Sequence, residues 1–284
     1  MTTYFAKRQS RLSVPLLVFH SLISPYYHYM PIAQTVASDL DDELGALIEA
    51  STNYLSEMDP EVRAVSRMLD NLAKVDAAKS SSLKIRYAAL LGDREMGEYW
   101  ARNAERLHAE KNDILVGLSV LYSNLGYYSE CVGPMAQLTD PVGGIPTQIY
   151  KYPLGNGMFH LLAENHAKAK EMRVSNLPDL EDFISLSVAA MDAWNETDAD
   201  YLSALDLAGE VMRKRRMFVA NQGFRNDVIV PDDGGLPYCK ITFTVAVDLD
   251  TSIDMTCEYL EALSASQIKI PQSMSFEFQS ESEQ

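Results

Sequence analysis

Residues 112–138 read NDILVGLSVLYSNLGYYSECVGPMAQL. Leu115, Leu118 and Tyr122 recur at helical spacing, Gly126 supplies a turn, and Tyr128, Cys131 and Met135 resume the spacing beyond it. Upstream by 34 residues, Leu91-Gly92 repeats Leu125-Gly126. A helix pair that cannot bury its own apolar face stacks on a copy of itself, and that requirement generates fixed-period repeats. The upstream unit, GDREMGEYWARNAERLHAEKN, keeps the turn and the second helix through Gly92, Gly97, Ala104 and Leu107. Its first helix departs, with Ser81 and Lys84 at positions that call for large apolar residues. Pro134 falls inside the second helix of the downstream unit, removes a backbone donor and is expected to break it.

Outward from this centre the chain is mainly α. Leu40, Leu44, Leu47, Ile48 and Leu55 mark a helix from Asp39, with the acidic DLDDE run placed at its start. Asp59-Pro60-Glu61 reads as a helix N-terminus, since proline at the first helical position forfeits a donor that has no partner there. After 140–157, a glycine- and proline-rich loop, helices are expected over 158–174, after Pro178, and from a Thr197 cap with Asp200 three residues on. Residues 219–237 read as a linker. The period then changes from 3.6 to 2: Cys239, Ile241, Phe243, Val245 and Val247 alternate with polar neighbours as in a half-buried strand. A helix carrying Ile253, Cys257, Leu260 and Leu263 and a second strand within 268–278 complete a small C-terminal β-α-β element over 238–279, followed by an acidic tail over 280–284. One short sheet with bare edges must pair with an earlier segment or a second subunit.

Charge is unevenly distributed. Residues 1–38 form an aromatic arm with Lys7, Arg8 and Arg11 and no acid, so the remaining 246 residues carry −19 of the net −16. An acidic body excludes indiscriminate phosphate binding, leaving the arm as the segment able to touch nucleic acid. The uncharged run over 12–24 is too short to span a bilayer and is interrupted by Pro15 and His20, so no membrane association is expected. Three cysteines without metal-like spacing, Cys131, Cys239 and Cys257, suit reduced thiols in a soluble intracellular protein.

Candidate chemistry weakens on inspection. Residues 242–252, TFTVAVDLDTS, resemble the first motif of haloacid-dehalogenase phosphatases, with Asp248 and Asp250 at the nucleophile and acid positions. Too little chain follows Asp250 for that family's sheet and later motifs, so helix capping is the expected role of these acids. His160, Glu164 and His166 do not share one helix face. There is no GxSxG, GxGxxG, P-loop or HExxH, and neither catalysis nor a cofactor or metal is expected. The Arg213-Lys214-Arg215-Arg216 run reads as the cationic last turn of a helix.

The residue order over 80–140, about a fifth of the chain, resembles the tetratricopeptide helix-turn-helix repeat. The resemblance implies stacked helix pairs that present a groove to a protein partner, with Tyr122 and Tyr128 as contact candidates. The expectation is a non-enzymatic interaction scaffold or adaptor. The alternative is a self-assembling, capsid- or shell-like subunit whose contacts use the arm, including Lys7, Arg8 and Arg11, and the C-terminal strands.

Overall fold

The computed structural model describes residues 12–13, 32–138, 157–173, 177, 179–218, 223–232 and 234–281. Among them the chain forms ten helices and a small C-terminal sheet. The first six helices are α1 (Ile32–Ala50), α2 (Pro60–Ala73), α3 (Ala77–Leu91), α4 (Arg94–Arg106), α5 (Lys111–Asn124) and α6 (Tyr128–Gln137). The starts of α2, α4 and α6 are 34 residues apart, as are those of α3 and α5, so the period reaches one helix further upstream than the glycine turns reveal. Lys79 and Asp113, equivalent positions in α3 and α5, are joined by an ion pair at 2.7 Å.

Both inter-helix turns are built alike. Gly92 (φ +74°) donates to Ala89 O at 3.0 Å while Asp93 donates to Ala88 O at 3.0 Å; Gly126 (φ +67°) donates to Ser123 O at 3.2 Å while Tyr127 donates to Tyr122 O at 2.8 Å. These bonds satisfy helix-end carbonyls and require a left-handed residue, which glycine adopts without a Cβ penalty. At Gly92 a side chain would also collide with the Tyr54 ring.

Two local expectations change. Helix α1 begins at Ile32, not Asp39, so the DLDDE run lies within it and its carboxylates are not at the positive end of the dipole. Helix α6 continues through Pro134 to Gln137. The residue before a proline is normally driven out of helical geometry by contact with its Cβ, and Gly133 has none. Pro134, Cys131 and Met135 are buried together, so packing holds the turn that lost its donor.

Helices α7 (Phe159–Glu171), α8 (Glu181–Ala193) and α9 (Asp198–Lys214) follow, then β2 (Gly223–Ile229), β3 (Tyr238–Val245), α10 (Leu249–Ala265) and β4 (Met274–Ser280). Thr197 donates to Asp200 Oδ2 at 2.8 Å at the start of α9, and Asp248 accepts from Thr251 N at 2.8 Å at the start of α10. The sheet order is β1-β2-β3-β4, where β1 is the two-residue strand Leu12–Ser13. Strands β1 and β2, and β2 and β3, pair antiparallel; β3 and β4 pair parallel, with Phe243 opposite Phe278. The stretch read as a linker therefore contains a strand. Its inward positions are Phe224, Asn226 and Val228, and the asparagine masks the alternation. Residues 32–38 of the arm belong to α1, while its residues 1–11 and 14–31, including Lys7, Arg8, Arg11 and the aromatic cluster at Tyr26, Tyr27 and Tyr29, lie outside the described residues, as does the expected loop over 140–156.

The buried side chains form two cores. One joins α1 to α5; the other joins α6 to α9, α10 and the inner face of the sheet, so the C-terminal element shares its core with half of the helical body. Tyr122 touches both cores. The seam is clasped by the end of α9. Arg213 donates to the carbonyls of Leu125 (2.9 Å) and Gly126 (2.6 Å) and lies 3.9 Å from the centre of the Tyr127 ring. Gly209, one turn earlier, abuts the backbone of Gly126. Beyond it, Arg215 bonds Glu258 at 2.7 Å and Lys214 pairs with Glu210 and Glu258. The basic run joins α9 to its neighbours and is not an open cationic patch.

Candidate partner-binding clefts

Successive second helices of the repeat do not close fully on one another. Between α4 and α6, over the outer face of α5, lies an open cleft of about 750 Å³. Leu115 and Leu118 provide an apolar floor, Tyr122 one wall, and Glu105, His108 and Lys111 a charged rim. A second cleft of about 740 Å³ lies between α2 and α4 over α3, lined by Arg67, Lys84, Tyr99 and Trp100. The two are related by the repeat: Leu118, Gly133 and Pro134 line the first, and Lys84, Tyr99 and Trp100 stand 34 residues before them in the second. The departures at Ser81 and Lys84 are thereby explained. Ser81 is buried, donating to Ala77 O and accepting from Asn103, while Lys84 leaves the floor to pair with Asp70 at 3.0 Å and to lie 4.4 Å from the Trp100 ring centre.

The wall of the first cleft is held by an ion network. Arg94 bonds Glu98 at 2.7 Å within α4 and reaches across to both Glu130 oxygens on α6, at 2.7 and 2.5 Å. Its guanidinium lies 4.5 Å from the Tyr127 ring centre and 5.7 Å from that of Tyr122. Bidentate geometry of this kind fixes direction as well as adding energy. Burial, with the Glu98 and Glu130 charges beside it, pushes the Tyr122 hydroxyl up to about 12, so it stays a neutral donor toward Glu98. His108 enters the rim from a left-handed residue (φ +57°) closing α4, a position where a helix end usually carries glycine.

Of the two described residues read from sequence as contacts, Tyr122 lines a cleft. Tyr128 does not: its side chain is fully buried at the seam, its ring 6.3 Å from that of Phe243, because it belongs to the second core. Trp100, Tyr99 and His108 were missed. For Tyr99 and Trp100 the signal was present as aromatic residues on the outer face of a helix whose small residues, Gly97, Ala101 and Ala104, face inward; His108 lies past the end of that helix and carried no such signal.

The other clusters are occupied in holding the fold. His160 sits between Asp192 (3.3 Å) and Asp198 (3.2 Å); burial lowers its pKa, but hydrogen bonds and charge from the two aspartates outweigh that and raise it. Glu196 is buried and accepts from the backbone of Gln272 and Ser273 and from the Ser273 hydroxyl, and Tyr201 bonds Ser273 as well. That network ties the start of β4 to α9 and is sealed from solvent. Among the described residues no group of three or more His, Cys, Asp or Glu side chains is placed to hold a metal, and no helix is long and apolar enough to cross a membrane. No protein-family model, curated protein or solved structure matches the chain.

Proposed function

We propose that this protein is a non-enzymatic scaffold that binds a protein partner along the face carrying the two clefts. The reading extends the resemblance of residues 80–140 to tetratricopeptide repeats, and the observation that carries it is the recurrence of one cleft geometry at a 34-residue interval. Two clefts at equivalent positions in tandem, the first floored by Leu115 and Leu118 and the second lined by Leu69, Met96 and Trp100, suit a helix or extended segment that presents two anchors. Their differing rims, with Arg67 and Lys84 around Trp100 in one and Glu105, His108 and Lys111 around Leu118 in the other, would give such a ligand polarity and register.

The test is comparative proximity labelling and affinity capture with the full chain and two single variants, Leu118→Arg and Trp100→Ala. Both side chains are partly exposed, so far-ultraviolet circular dichroism should be unchanged. The expected result is one set of proteins retained by the parent and lost from both variants. Identical retention by all three refutes the reading.

A second reading, a self-assembling subunit, is favoured by the pairing of Leu12–Ser13 with the outer edge of β2. A strand supplied through an arm can be given to a neighbouring copy as readily as to its own sheet. In that reading Lys7, Arg8 and Arg11 are the contacts to nucleic acid. Light scattering separates the two, because megadalton particles support a shell and a monomer or dimer removes it.

A further inference from the structure

The last helix exposes an apolar seam with no helix against it among the described residues. Leu249, Ile253 and Leu260 are 43%, 50% and 51% exposed, large values for side chains of this kind. With Thr256 and Leu263 they follow the alternating four-and-three spacing of a helix–helix seam. The remaining faces of α10 are accounted for. Ser252, Met255 and Tyr259 are buried; Glu258 points to α9 and pairs with Lys214 and Arg215; Asp250, Asp254 and Glu261 occupy the outward face. The seam lies on the flank opposite Glu258, above the side of β4 that no described strand pairs. It carries no charge.

We infer that this flank is a dimerisation surface for a second copy of the chain, the two α10 helices meeting antiparallel about a two-fold axis between Thr256 and Cys257. Such an axis sets Ile253 of each copy against Leu260 of the other, a self-complementary match that an isologous contact requires. A helix of 17 residues is about 25 Å long and β4 about 24 Å. A helix about 10 Å across stacked on a strand layer about 10 Å away makes a strip about 20 Å tall, on the order of 500 Å² per copy, which reaches the lower limit for a specific dimer. The partner contributes a helix and not a strand. Thr256 Oγ1 accepts from Phe278 N at 3.0 Å and contacts Phe278 O at 3.4 Å, so the edge-facing main-chain groups of Phe278 are occupied from above and an added strand would not pair along the whole of β4. The outward acids of two copies repel across the rim, so salt should strengthen this dimer, the reverse of its effect on a basic partner.

Cys257 is the one exposed cysteine, since Cys131 and Cys239 are buried, and it flanks the proposed axis. The test is sedimentation equilibrium of the full chain at low and high salt, with cross-linking by a short bismaleimide. The expected result is a weak dimer, tighter in high salt, trapped through Cys257 and no longer trapped in C257S. Leu260→Glu and Ile253→Glu should each weaken it ~30-fold or more with unchanged helix content. A chain that stays monomeric at all concentrations overturns the inference, as does a dimer indifferent to both substitutions. Because α10 is remote from the two clefts, a failure here leaves the cleft reading intact, and the reverse holds.

Discussion

Replacing Gly209 by alanine sets helix propensity against tertiary contact. Gly209 lies inside α9, where alanine in its place normally stabilises by about 1 kcal/mol. Here the new Cβ would overlap the carbonyl group of Gly126, and a backbone at a left-handed glycine has no side-chain freedom with which to yield. Overpacking of this kind costs about 1–3 kcal/mol. Moving α9 away also stretches the Arg213 bonds to Leu125 O and Gly126 O, charge-assisted contacts each worth about 1.5–3 kcal/mol. The net expectation is a loss of about 3 kcal/mol, or a fall in Tm of ~6–12 °C at the usual conversion for chains of this size. Gly45→Ala is the matched control: it lies inside α1, and the nearest atom to its new Cβ is the Arg86 guanidinium at 3.5 Å. Thermal melts and urea titrations of the two variants should move in opposite directions. If Gly209→Ala melts at or above the parent while Gly45→Ala gains stability, the close crossing of α9 over the α5–α6 turn is refuted.

Two further outcomes follow from local geometry. His108→Gly removes a left-handed non-glycine residue and should stabilise the chain by about 1 kcal/mol in urea denaturation, and a loss of stability would show that the imidazole contributes more than its backbone costs. His160 has a folded pKa raised above 6.5, so the stability it adds is fully present below that value and is lost as pH rises through the raised one. The gap in Tm between the parent and His160→Gln should therefore be widest in mild acid and shrink toward neutrality and above; a gap that grows with pH contradicts the Asp192–His160–Asp198 arrangement.

Much of the helical body was legible because its signals are local. Asp59-Pro60, Asp93 with Gly92, and Thr197 with Asp200 act within a turn or two of chain, and each marks a real helix end. The alternation over 239–245 likewise marks β3, but the strand is not half-buried as its spacing suggests: Thr242 and Thr244 on the second face are buried as well. Strand β2 was not legible, because Asn226 faces the core and its neighbours mimic a polar linker. Pro134 misled because its effect depends on the residue before it and on what packs around it. Tyr122 and Tyr128 look equivalent along the chain, yet one walls a cleft and the other is sealed in a core.

By itself the sequence determined the mainly α character, the 34-residue period, the change to β structure near the C-terminus and the separation of a basic arm from an acidic body. Each follows from side-chain spacing or composition, which neighbours in sequence express without reference to the rest of the fold. Only the tertiary structure decided that α6 to α9 share a core with the sheet, that the Arg213–Arg216 run is spent on internal contacts, that the clefts lie between successive second helices, and that Leu249, Ile253 and Leu260 on one flank of α10 are exposed. Those features depend on which distant segments meet, and burial, ion pairing and exposure are fixed only once they have met.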